Sequence, residues 1–122
     1  MKALVLIGII YGFLSVALGA FGAHALEGKI SESAILTWEK AVHYQMFHAL
    51  SILLAGFALI KFDSTALLIA GWSFVIGVLL FSGSLYMYST TGIRMMAMIT
   101  PFGGVVFLIG WVIFGYAMMK ML

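Results

Sequence analysis

The sequence contains no cysteine and a single proline in 122 residues. Without cysteine there is no disulfide, no thiolate zinc site and no covalently attached c-type haem. Charge is almost as scarce. Six basic and four acidic residues make up 8% of the chain and leave a formal net charge of +2. So few charges make no basic stripe, which excludes the usual electrostatics of nucleic-acid binding and any nucleic-acid partner. What remains is apolar: 65% of residues are hydrophobic, and the mean hydropathy is +1.22. Soluble domains average about 45–50% apolar and about 25% charged. A short fold buries a limited share of its surface, so this composition excludes both an ordinary soluble domain and a disordered chain.

The gaps between charges carry the main signal. Residues 3–26, 41–60, 64–93 and 95–119 contain no Asp, Glu, Lys or Arg. Each gap has room for the ~20 apolar residues that cross ~30 Å of hydrocarbon as a helix. In lipid the backbone must satisfy its own hydrogen bonds, which selects helices. The expected fold is an all-α integral membrane four-helix bundle, one membrane domain over residues 1–122. Its spans fall near 3–23, 43–61, 65–88 and 101–120, with both termini on one side. Lys2 and Ala23-His24-Ala25 superficially resemble the ends of a signal peptide. The apolar run between them exceeds the about 7–15 residues of a signal core, so it reads as a retained span.

Lys2, Lys61 and Lys120 fall on the terminal side, and Lys29, Lys40 and Arg94 on the other. The positive-inside rule is therefore balanced. The amino terminus and the acidic neighbours Glu27, Glu32 and Glu39 tilt the expectation toward termini in the cytoplasm.

Turn chemistry places the connections. Lys61-Phe62-Asp63-Ser64 reads as a tight turn between spans two and three. Thr100 reads as an N-cap and Pro101 as the first helical residue of span four. In the longer connection 24–42, Ser31 or Ser33 starts a helix, and Ala34, Ile35, Trp38, Ala41 and Val42 recur at helical spacing. That helix either lies in the interface with Trp38 at headgroup level or runs on into span two. In span one, Gly8, Gly12, Ser15, Gly19 and Gly22 form a stripe of small residues that allows close helix approach. The stripe serves either the bundle interior or a contact between protomers of a homo-oligomer. Met95, Met96 and Met98 invite a copper reading, but methionine is more often an adaptable packing residue.

The chemistry-bearing residues gather at one end: His24, Glu39, His43, Tyr44, Gln45 and His48, with Arg94 on the same side. Intramembrane polar groups are costly and mark functional sites by default. Tyr44, Gln45 and His48 are helical neighbours, whereas His43 and His48 diverge by roughly 140°. Four readings stand: interhelical hydrogen bonding, a pocket for an amphiphile headgroup, a proton or ion path, and a metal site from His24, Glu39 and His43. No acidic residue lies within a span and no nucleophile has an evident base, so no catalytic residue, metal ligand or cofactor is assigned.

Several motifs in order bring a resemblance. Gly19-Ala20-Phe21-Gly22-Ala23-His24-Ala25, Trp38 and Tyr44-Gln45-x-x-His48-Ala49 are followed by Phe81-Ser82-Gly83-Ser84-Leu85-Tyr86. Thr91-Gly92, Thr100-Pro101-x-Gly103-Gly104 and Gly110-Trp111 complete the series. Together they resemble the YwdK/YgdD-like family of small bacterial inner-membrane proteins, a family of unknown function. The resemblance covers nearly the whole chain and implies a multi-span membrane protein without an established reaction. It marks His24, Tyr44, Gln45, His48, Ser84, Tyr86 and Pro101 as the positions to test. The expected function is non-enzymatic: binding of a lipid or quinone-like amphiphile by His24, Tyr44, Gln45, His48 and Arg94, with membrane lipids as partners. The rival expectation is a small oligomeric proton or ion transport protein using the same histidines.

Overall fold

A computed structural model describes all of residues 1–122 and contains helices and short connections only. The first span opens with α1 (Lys2–Ala17), passes through a π-helical turn at Leu18–Gly22 and ends in the short α2 (Ala23–Leu26). Three long helices follow: α3 (Glu32–Lys61), α4 (Thr65–Thr91) and α5 (Arg94–Met121). Four segments are long and apolar enough to cross a membrane: Lys2–Leu26, Glu32–Lys61, Thr65–Thr91 and Arg94–Met121.

Local chemistry sets the ends of these helices. Ser31 caps α3 by accepting from the Ala34 amide at 3.0 Å, and Ser64 caps α4 by accepting from the Leu67 amide at 3.2 Å. These side chains satisfy amides that the first helical turn leaves unpaired. At the far end of α4, Gly92 adopts φ +70° and donates back to the Tyr88 carbonyl, a left-handed stop that suits glycine.

Of the two readings of the segment after the first loop, the continuous one holds: the segment is the first third of a 30-residue α3, and Trp38 is buried in the bundle. Its indole N–H donates to the Leu18 carbonyl at 2.9 Å. The π-helical turn, stretched by one residue, presents that carbonyl to both the Ala23 amide and Trp38. One expectation changes, at span four. Thr100 is not an N-cap and Pro101 does not open the helix: α5 begins at Arg94 and carries Pro101 inside it. The Thr100 hydroxyl meets the Ser84 hydroxyl at 2.6 Å. It also donates to the Met96 carbonyl at 3.4 Å. These bonds, and packing against α4, hold together a helix that proline interrupts by one hydrogen bond.

The core pairs α3 with α4, with α1 packed chiefly on α3 and α5 along α4. Leu4, Ile52, Phe74, Val75, Val78 and Phe107 form the buried cluster. Close approach depends on glycine at two contacts in particular. A Cβ on Gly103 would run into the Phe81 backbone, and one on Gly77 into the Phe107 ring. Outward-facing residues reverse the soluble pattern: Phe13, Phe102, Leu108 and Val112 are among the most exposed. A soluble domain does not present such a continuous apolar exterior, whereas hydrocarbon solvates it.

The small residues of α1 face α3 unevenly. A Cβ on Gly8 would meet Leu53 at 2.9 Å, one on Gly19 Val42 at 3.0 Å, and one on Gly22 the Trp38 ring at 2.8 Å. Ser15 is buried and donates to the Tyr11 carbonyl at 2.7 Å. Gly12 departs from this face, because a Cβ there meets nothing within 4 Å.

Candidate functional site

The polar residues singled out in the sequence separate into three environments. His24 is exposed at the end of the first span, with Nδ1 3.5 Å from a Glu27 carboxylate oxygen. It lines a groove of about 730 Å³ together with Glu39, between α2 and the start of α3. Arg94 is exposed at the first residue of α5 and lines neither of the two largest grooves. His43 borders a different groove from His24 and Glu39. No group of three His, Asp or Glu side chains is arranged to hold a metal ion.

Gln45 lies inside the bundle and is fully engaged. Its amide nitrogen donates to the Tyr11 carbonyl at 3.0 Å, and its amide oxygen accepts from the Tyr86 hydroxyl at 2.7 Å. Tyr11 in turn donates from its hydroxyl to the Val75 carbonyl at 3.1 Å. Tyr86 packs against Trp38 with ring centroids 4.7 Å apart. One connected set of polar side chains thus links α1, α3 and α4. A buried Ser82 adds a bond to the Ala41 carbonyl at 2.7 Å.

His48 joins the other flank. The Trp111 indole N–H donates to His48 Nε2 at 3.0 Å, and His48 Nδ1 lies 2.8 Å from the Tyr44 carbonyl. Indole is a donor only and a carbonyl an acceptor only. The pair of partners therefore assigns the proton to Nδ1 and matches a neutral ring. His48 also stacks on Phe107, centroids 3.6 Å apart and planes within 6°. No buried side-chain nitrogen or oxygen lacks a partner anywhere in the chain, as hydrocarbon surroundings require.

Beside this pair lies the second groove, about 780 Å³, between α3 and α5 with Phe81 of α4 in its wall. Both helices start on the same membrane side. His43, Tyr44 and Pro101 therefore mark the end nearer that surface, and Leu108 and Trp111 the deeper end. Tyr44 is half-exposed. Its ring rests on Phe81 at 4.4 Å between centroids and runs nearly parallel to His48. The structure thus brings Tyr44 and His48 together and sets His24, Gln45 and Arg94 apart from them.

Sequence reasoning gave no role to Tyr11, Phe107 or Trp111. Gly110-Trp111 stood only as part of a motif, and the spacing of 63 residues between His48 and Trp111 has no helical periodicity to reveal it. The available clue was physical: a histidine below the membrane boundary requires a partner, and a tryptophan well inside a span requires an acceptor.

These features define a polytopic α-helical membrane protein in which several intramembrane polar groups, Gln45, Tyr86, His48 and Trp111 among them, are paired between helices. A family profile described as "Protein of unknown function (DUF423)" matches residues 18–104, and the chain belongs to that family. It is 43% identical to the UPF0382 membrane protein YwdK of Bacillus subtilis, with all of both chains covered. It is likewise 43% identical to a UPF0382 membrane protein of Staphylococcus epidermidis over 98% of each chain. A UPF0382 membrane protein of Staphylococcus haemolyticus is 44% identical over 91% of this chain and 90% of its own. No solved structure matches the chain.

Proposed function

We propose that this protein is a non-enzymatic component of the bacterial plasma membrane that holds a lipid or quinone-like amphiphile in the groove between α3 and α5. The observation that carries the reading is the groove's polarity gradient. His43 and Tyr44 stand at the end nearer the membrane surface, and Val105 and Leu108, with the mutually bonded His48 and Trp111, line it farther in. An amphiphile inserted from the bilayer meets the same gradient in the same direction. The volume of about 780 Å³ falls within the ~300–1,000 Å³ usual for small-molecule sites.

The test fills the groove without disturbing the bundle. A Cβ on Gly104 would meet only the Phe81 ring, at 3.9 Å, so Gly104→Leu projects bulk into free space. Native mass spectrometry from mild detergent is expected to show a stoichiometric amphiphile on the wild-type chain. Gly104→Leu is expected to lose it at unchanged Tm. A bare wild-type chain under the same conditions overturns the proposal.

A further inference from the structure

Resting on the reading that the α3–α5 groove holds an amphiphile, we infer that its headgroup contact is the Tyr44 hydroxyl and that the occupant is an uncharged, acceptor-bearing amphiphile of the prenyl-quinone class.

The polar groups in and around the groove differ in whether they are free. His48 has both ring nitrogens occupied, by Trp111 and by the Tyr44 carbonyl. Gln45 has both ends of its amide occupied, by Tyr86 and Tyr11. Neither reaches a ligand without breaking a bond between helices or within α3. Tyr44 differs. Its ring is held by Phe81 at 4.4 Å, it is half-exposed, and its hydroxyl has no partner in the chain. A phenol fixed in position with an unused O–H in a low-dielectric wall is a donor awaiting an acceptor.

Charge then selects the class of occupant. The residues lining the groove include no Lys, Arg, Asp or Glu. Its one exposed imidazole is His43 at the surface end, so a phosphate seated against this wall would lose hydration without gaining a permanent counter-charge. An uncharged carbonyl headgroup carries no such penalty and accepts directly from a phenol. The walls favour a flat ring as well, because Phe47, Phe81 and Trp111 contribute aromatic surface, against which planar groups pack. From Pro101 to Trp111 the groove follows ten residues of α5, about 15 Å at 1.5 Å per residue, which accommodates part of an isoprenoid tail.

Trp111 in the groove wall supplies a fluorescence reporter. A short-chain menaquinone is titrated into the full-length protein in detergent, with phosphatidylglycerol as competitor. Saturable quenching is expected, with no competition by phosphatidylglycerol. Tyr44→Phe, which deletes only the hydroxyl, is expected to weaken the apparent Kd about three- to tenfold at unchanged Tm. Saturable quenching indifferent to Tyr44→Phe overturns the Tyr44 contact. If the native chain instead carries phosphatidylglycerol that Gly104→Leu removes, the uncharged class is overturned while the amphiphile groove stands. A wild-type chain that neither binds menaquinone nor carries any amphiphile overturns both.

Discussion

Trp111 of α5 donates its indole N–H to Nε2 of His48 on α3 at 3.0 Å. The bond ties two helices whose main contacts are otherwise with α4. Because the indole has no acceptor, it uses the one lone pair a neutral imidazole offers, and Nδ1–H is left for the Tyr44 carbonyl at 2.8 Å. Phe107, stacked on the same ring at 3.6 Å, closes the third side. The imidazole is thus a packing element and a hydrogen-bonding bridge together.

His48→Ala is expected to destabilise the protein by about 2–4 kcal/mol, since it empties a stacked site and strands the Trp111 donor. Thermal or denaturant unfolding in mixed micelles reads the loss. A double-mutant cycle with Trp111→Phe is expected to return a coupling of about 0.5–1.5 kcal/mol, within the range for interhelical bonds in membranes. A coupling near zero would show that the bond contributes nothing beyond packing.

Gln45 provides an independent test on the opposite flank. Gln45→Leu keeps the bulk but removes the links to Tyr11 and Tyr86, and a loss of about 1–2 kcal/mol is expected. Tyr86→Phe removes one of the same links. The two losses are therefore expected to be less than additive, because the second change finds its bond already gone. Strict additivity would contradict the shared bond at 2.7 Å.

Neighbouring glycines separate packing from space. A Cβ at Gly103 collides with the Phe81 backbone, whereas one at Gly104 finds the Phe81 ring at 3.9 Å. Gly103→Ala is expected to cost about 1–3 kcal/mol, because backbone must move to admit it. Gly104→Ala is expected to leave Tm within about 1 °C or raise it slightly, since alanine favours helix. Equal melting of both variants would contradict the close α4–α5 contact.

The spans were legible because charge cannot cross hydrocarbon cheaply, so the charge-free gaps 3–26, 41–60, 64–93 and 95–119 mark four crossings, although α3 starts well before its gap, at Glu32. Helix ends were less legible. A proline after threonine looks like a helix start, whereas α5 opens at Arg94 and runs through Pro101, packed along α4. The polar cluster was legible as residue types near one boundary but not as partners. Periodicity relates residues within one helix, and it identified Tyr44, Gln45 and His48 as neighbours. It carries no information on pairings across helices, and those pairings consume His48 and Gln45 while leaving Tyr44 free. Gly12 shows the same limit, because a regular stripe does not reveal which of its members faces open space.

Orientation is a separate expectation, drawn from the charges at the two ends. The side bearing Lys29, Lys40 and Arg94 also bears Glu27, Glu32 and Glu39, whereas Lys2, Lys61 and Lys120 share their side with Asp63 alone among acidic side chains. Lys and Arg are balanced three against three, so the positive-inside rule does not choose between the sides, and the expectation of cytoplasmic termini rests on the amino terminus and the uneven acidic neighbours alone. The absence of cysteine makes the test clean, because any introduced thiol is the sole target. Ser33 and Asp63 are both exposed and lie on opposite sides. In intact spheroplasts, a membrane-impermeant maleimide is expected to label Ser33→Cys. Asp63→Cys is expected to label only after permeabilisation. The reverse pattern would place both termini, and the lysines beside them, outside the cytoplasm, and the groove's His43–Tyr44 end would then face the cytoplasmic leaflet.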